Sequence, residues 1–150
     1  MLIKKRLTEL LGEHEALQAH LNFLTGALGK LEIQPNENVK QTAQRIWCFR
    51  CGLYDLKEGM SSHMEVDELV FRSLTGDVPL EEMQVEHREI IKRLNLTIEW
   101  ADRAIEKADV PGELNRCAAS IKQEFSRTRE LIDGHEEKEN KLLQALQNLL

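Results

Sequence analysis

The sequence predicts an all-α protein folded as an up-down-up-down four-helix bundle. Three observations carry this expectation. Apolar residues recur at alternating steps of three and four along four long stretches, and short breaks containing proline, glycine or asparagine separate those stretches. Only eight glycines and three prolines occur in 150 residues, which favours helix over a turn-rich architecture. A single domain over residues 1–150 is expected, since this length supports one sizeable core and seldom divides into two.

The first helical seam reads Ile3, Leu7, Leu10, His14, Leu17, Leu21, Leu24, Leu28 and Leu31, a sustained heptad pattern. It stops at EIQPNEN, where Pro35 breaks the helix and Asn36 or Asn38 can cap the next one. The second seam runs Ile46, Phe49, Leu53, Leu56, Met60, His63, Asp67, Val70 and Leu74, and closes at Thr75-Gly76 with Gly76 as a left-handed cap. Pro79 then opens the third helix. Its seam is Leu80, Met83, His87, Ile90 or Ile91, Leu94, Ile98, Ala101 and Ile105, ending at ADVPG. The fourth runs Leu114, Ala118, Ile121, Phe125, Thr128, Ile132, His135, Glu139, Leu142, Leu146 and Leu149. At about 1.5 Å per residue, each helix spans roughly 40 to 55 Å. The heptad steps imply axes crossing near 20°, as in left-handed bundles.

A net charge of −6 without a basic block argues against nucleic acid or an anionic membrane as partner. The N-terminal MLIKKRLTELL lacks the apolar run of a signal or a membrane span, and three cysteines do not make a disulfide framework; a cytoplasmic protein is expected.

Each seam carries one histidine: His14, His63, His87 and His135. Two of them are followed four residues later by a carboxylate, Asp67 and Glu139, on the same helix face. The spacing from His14 to His63 nearly equals that from His87 to His135, so the chain reads as two similar helical hairpins. In an up-down bundle the four histidines lie about 8 to 14 residues from helix ends and fall in one layer, toward the end that holds the termini. Six such side chains in an apolar core would each lose hydration worth a few kcal/mol without compensation. A metal offsets that loss. Imidazoles and carboxylates suit iron, manganese or zinc, and two carboxylates can bridge two ions while each ion keeps two histidines and open positions. His20 lies off the seam and reads as surface.

GEHEAL around His14, SSHMEVDELVF around His63, VEHREII around His87 and GHEEKENKLL around His135 together resemble, in order, the four helix signatures of the hemerythrin-like, or HHE cation-binding, family. The resemblance covers almost the whole chain. It implies a non-haem centre of two iron ions, carboxylate- and oxo-bridged, with His14, His63, His87 and His135 as ligands and Asp67 and Glu139 as bridges. The chain has Ile91 and Asn140 where oxygen-carrying hemerythrins place a further histidine and their last carboxylate. The four-histidine, two-carboxylate set is closer to di-iron proteins that repair iron-sulfur centres under nitrosative or oxidative stress. Asp67 stands where that group usually has Glu, so Glu68 can compete for the role. The implied partner is a small diatomic molecule, oxygen or nitric oxide, or iron itself. The alternative is a metal- or oxygen-responsive sensor without catalysis, and zinc or manganese could replace iron.

Other residues read more plainly. Cys48 and Cys51, in CFRC, lie roughly 18 to 22 Å along the helix from His63, too far to be ligands. Cys117 reads as core or flank. Trp47 and Trp100 are expected at the wide end or in surface grooves, and Tyr54 is too distant to touch a ligand. Of Glu136, Glu137 and Glu139, only Glu139 is expected to leave the solvated face.

Overall fold

The computed structural model describes residues 2–31, 36–74 and 80–149. Within them the chain forms α1 (Leu2–Leu28), α2 (Val39–Leu74), α3 (Leu80–Glu106) and α4 (Glu113–Leu149), and no strand. Their lengths of 27, 36, 27 and 37 residues match the extent of the four apolar seams. Pro35, Gly76 and Pro79, assigned above to the breaks, lie outside the described residues.

Local chemistry sets the described helix ends. Asn38 caps α2 reciprocally: its Oδ1 accepts the Gln41 backbone N–H at 2.9 Å, and Gln41 Oε1 accepts the Asn38 N–H at 3.0 Å. Asn36 takes a left-handed backbone (φ 65°), which asparagine tolerates better than most residues. Gly112 precedes α4 with φ 78°, and its carbonyl accepts the first helical bond, from Arg116 N–H at 3.1 Å.

Contacts between helices run in opposite senses on every face. Between α1 and α4, Thr8 meets Gln147, Gln18 meets Asp133 and Asn22 meets Arg129. Between α2 and α3, Arg50 pairs with Asp102 and Glu68 with His87. Between α3 and α4, Glu86 pairs with Lys138 and Arg93 with Glu124. Leu24 faces Gly52 across α1 and α2. Rising numbers on one helix meet falling numbers on the next, so the four form an antiparallel ring in which each packs on its two neighbours.

The apolar interior falls into two clusters. The larger extends from Leu31 and Ile46 to Met64 and Ile132, with Phe49 and Phe125 edge to face at 5.7 Å. The smaller, Leu7, Leu10, Phe71, Met83 and Leu143, closes the end nearest the termini. On α2 and α4 its fully buried positions are Phe71 and Leu143, whereas the seam residues Val70 and Leu142 are only partly covered. The helical repeat is 3.6 residues rather than 3.5, so a stripe read in strict heptads drifts by one position over several turns. Between the clusters lies a polar layer. Cys117 is core, Trp47 and Tyr54 are exposed, and Trp100 packs at the core's edge.

A Cβ at Gly52 would lie 2.7 Å from Leu24 Cδ2, whereas Gly134 has open space. Gly52→Leu is expected to destabilise by about 1–3 kcal/mol through overpacking. Gly134→Ala is expected to stabilise by about 0.5–1 kcal/mol through lower chain entropy in the unfolded state. Urea unfolding of the two variants beside the parent checks both.

Candidate metal centre

His14 on α1, His63 and Asp67 on α2, His87 on α3, and His135 and Glu139 on α4 converge in the polar layer, and none exceeds 8 % exposure. The histidines pair within each hairpin. His14 Nε2 lies 2.7 Å from His63 Nε2, and His87 Nε2 lies 2.9 Å from His135 Nε2. The ring geometries match as well, with centroids 4.5 and 4.7 Å apart and interplanar angles of 65° and 74°.

The outer edge of each ring decides its tautomer. His63 Nδ1 lies 2.6 Å from Glu13 Oε2, His135 Nδ1 2.5 Å from Glu86 Oε2, His87 Nδ1 3.1 Å from Glu68 Oε1 and His14 Nδ1 2.6 Å from Asn140 Oδ1. Carboxylate and amide oxygens only accept, so Nδ1–H donates in each case and every Nε2 faces inward. Two lone pairs at 2.7–2.9 Å repel unless a cation joins them.

Asp67 and Glu139 complete the arrangement. Asp67 Oδ2 is 3.2 Å from His63 Nε2 and 3.9 Å from His87 Nε2; Glu139 Oε2 is 3.0 Å from His135 Nε2 and 3.8 Å from His14 Nε2. Each carboxylate thus touches one imidazole of either pair. All four of their oxygens are buried without an aligned hydrogen bond. Ligand atoms of His14, His63, Asp67 and Glu139 lie within 4.8 Å of one another, and so do those of Asp67, His87, His135 and Glu139. Orphaned anionic oxygens facing inward lone pairs form a donor set that could hold a metal ion, and the two groups share both carboxylates.

Electrostatics reflect the crowding. Burial raises the Glu139 carboxyl, and the neighbouring Asp67 raises it further against the pull of His135. Within each histidine pair the two rings diverge. Burial lowers His63, but Asp67 and Glu13 override it and carry the net value up to about 9; His135 is likewise raised by Glu139 and Glu86 against burial. His14 and His87 are lowered, chiefly by burial. Each pair therefore favours one shared positive charge.

The structure separates Asp67 from its competitor. Asp67 is fully buried in the layer, while the Glu68 side chain is 28 % exposed and supports His87 from outside. One expectation is corrected: Glu136 is not on the solvated face but 4 % exposed, with one oxygen held by Gln18 Nε2 at 2.7 Å and the other without a partner. His20 is half-buried beside a cavity at His63 and belongs to neither candidate group. Cys48 and Cys51 likewise stand apart from both groups. The outer acceptors Glu13, Glu86 and Asn140 were not singled out from sequence, although a signal exists. Glu13 and Glu86 each precede a first-helix histidine, and Glu68 and Asn140 each follow a layer carboxylate.

The chain matches no model of a known protein family, no curated protein and no solved structure at a significant level. No described helix is long and apolar enough to cross a membrane.

The raised His63 predicts a pH dependence for protein stripped of metal. An imidazole whose folded pKa of about 9 exceeds its unfolded 6.5 contributes stability fully below pH 6.5 and loses it as pH rises through 9. The urea midpoint of chelator-treated protein should therefore fall between pH 6.5 and 9. Asp67→Asn, which removes a partner that raises His63, should flatten that fall.

Proposed function

We propose that the layer holds two iron ions and that the protein is a non-haem di-iron protein of hemerythrin-like type. In this reading His14 and His63 would hold one ion, His87 and His135 the other, and Asp67 and Glu139 would be available to both. The observation that supports it most is the pair of four-membered donor groups sharing both buried, unpartnered carboxylates. Iron would supply redox chemistry or open positions for a small molecule. The chain's part is to hold four imidazoles with Nε2 inward through Glu13, Glu68, Glu86 and Asn140. It also surrounds the centre with apolar clusters on both sides. Such a site fits a protein that meets oxygen or nitric oxide, or exchanges iron, in redox or nitrosative stress or in iron-sulfur centre repair.

Metal content by mass spectrometry, with the visible spectrum recorded before and after anaerobic reduction and air, tests this. Two irons per chain are expected. The double substitution His63→Ala and His135→Ala should abolish stoichiometric iron, and retention of two ions in that variant would overturn the ligand assignment.

A second reading, a metal- or oxygen-responsive sensor without catalysis, draws on the position of the layer. The five-residue apolar cluster at the terminal end is separated from the main core by the donor set. Metal binding energy is therefore coupled to the order of that end. Chelation is expected to lower the melting temperature and to speed amide exchange around Leu7, Phe71, Met83 and Leu143 more than around Leu53 and Ile121. Uniform exchange rates with an unchanged melting temperature would remove the basis for a sensor.

A further inference from the structure

The two hairpins repeat one design, and the place where the repeat breaks is informative. Glu13 and His14 correspond to Glu86 and His87, 73 residues on; His63, Asp67 and Glu68 correspond to His135, Glu139 and Asn140, 72 residues on. The groove between α1 and α4, beside His14, is therefore the counterpart of the groove between α2 and α3, beside His87. Their linings differ in kind. The α2–α3 groove presents Met64 and Ile91, with Arg88 at its rim beside Glu65 and with Glu68 engaged by His87, and has a volume of about 280 Å³. At the matching positions the α1–α4 groove carries Glu136, Gln18 and Glu15, in a cavity of about 560 Å³.

Only one oxygen of Glu136 has a structural task, accepting the bond from Gln18 that ties α4 to α1. Its counterpart Met64 shows that an apolar side chain can fill this position. A carboxyl here instead leaves one buried oxygen unpartnered, while Gln18 Nε2, shared with Asp133, holds the other. Burying a carboxylate oxygen without a partner is costly, so what favours it is an occupant that comes and goes. No Lys or Arg lines this cavity, and its polar lining leads to His14. The remaining two grooves are less suited to a cation. Lys138 and Lys141 line the one between α3 and α4, where Glu86 is already engaged by Lys138 and His135. In the one between α1 and α2, the acid Glu13 is committed to His63.

We infer that the α1–α4 groove admits a divalent metal cation to the layer, with Glu136 as the first buried carboxylate it meets and Glu15 drawing it to the mouth. The inference rests on the proposed metal centre. Glu136 Oε1 offers an oxygen donor beyond the six of the layer. Gln18 Nε2 holds Oε2, so the unpartnered Oε1 is the oxygen a passing ion can use. The basic Arg88 and the apolar Met64 and Ile91 make the twin groove a poor route for the same ion.

The test is the rate of cobalt(II) uptake by the full chain after chelation, followed by stopped-flow absorbance of the bound ion, with final content measured by mass spectrometry. Glu136→Gln should fill to the same two ions per chain about tenfold more slowly, in line with the loss of local attraction for a cation. Glu15→Lys, an exposed change that leaves the interior untouched, should slow uptake as well. Glu65→Lys in the twin groove should leave the rate unchanged. Uptake by Glu136→Gln and Glu15→Lys at the parent rate would overturn the inference, and so would a lower final content at an unchanged rate, which would make Glu136 a ligand of the resident ions. Failure of the parent chain to take up cobalt or iron at all would overturn the metal centre itself.

Discussion

Asp67 and Glu139 face each other in a dry layer with none of their oxygens hydrogen-bonded, and much of the molecule is organised around that constraint. Two carboxylates at such range repel, and removing them from water adds a desolvation cost that neither can recover from the other. Positive charge between them offsets both terms. The four imidazoles are oriented toward that need, since each has its outer N–H tied to an acceptor and its inner nitrogen turned to the layer. A proton on one ring of each pair meets the need in part. A divalent ion would meet it more fully, because the two donor groups could offer it imidazole nitrogens and carboxylate oxygens together.

The layer interrupts what would otherwise be one continuous core, and the bundle absorbs this through length. Helices of 27 to 37 residues leave a large apolar cluster on one side of the layer and a small one on the other. The large cluster gives the fold its stability independent of the site. The small one includes the starts of α1 and α3 and the ends of α2 and α4, where its five residues alone bury little surface.

Duplication explains the economy of the site. One Glu-His on the first helix of a hairpin and one His-x-x-x-carboxylate on the second, used twice, make six inward donors and two of the four outer acceptors, Glu13 and Glu86. The first-helix glutamate supports the histidine of its own hairpin, whereas the residue after each carboxylate supports a histidine of the other hairpin. The centre therefore fastens the two hairpins together. Departures from the repeat, Asn140 for Glu68 and Glu136 for Met64, give the two halves unequal surroundings despite equal ligands.

Fold class and the six layer residues were legible in the sequence because both depend on periodicity. A heptad stripe identifies buried positions, and polar residues on that stripe stand out whatever the tertiary arrangement. The order of four antiparallel helices then brings His14, His63, His87 and His135 to one level, as helix lengths alone require. The stripe marks Asp67, but Glu68 beside it stayed a competitor in the sequence; the structure buries Asp67 and leaves Glu68 at the edge, where its oxygen meets His87 Nδ1. Glu136 was misjudged: the heptad stripe places it beside the seam, and the approach of α1, with Gln18 laid over it, buries it. What the sequence by itself determined is the set of inward donors, since each is specified within its own helix. Which nitrogen of each histidine faces the centre, which carboxylates are shared and which groove is polar were decided by tertiary structure, because each depends on a partner from a different helix.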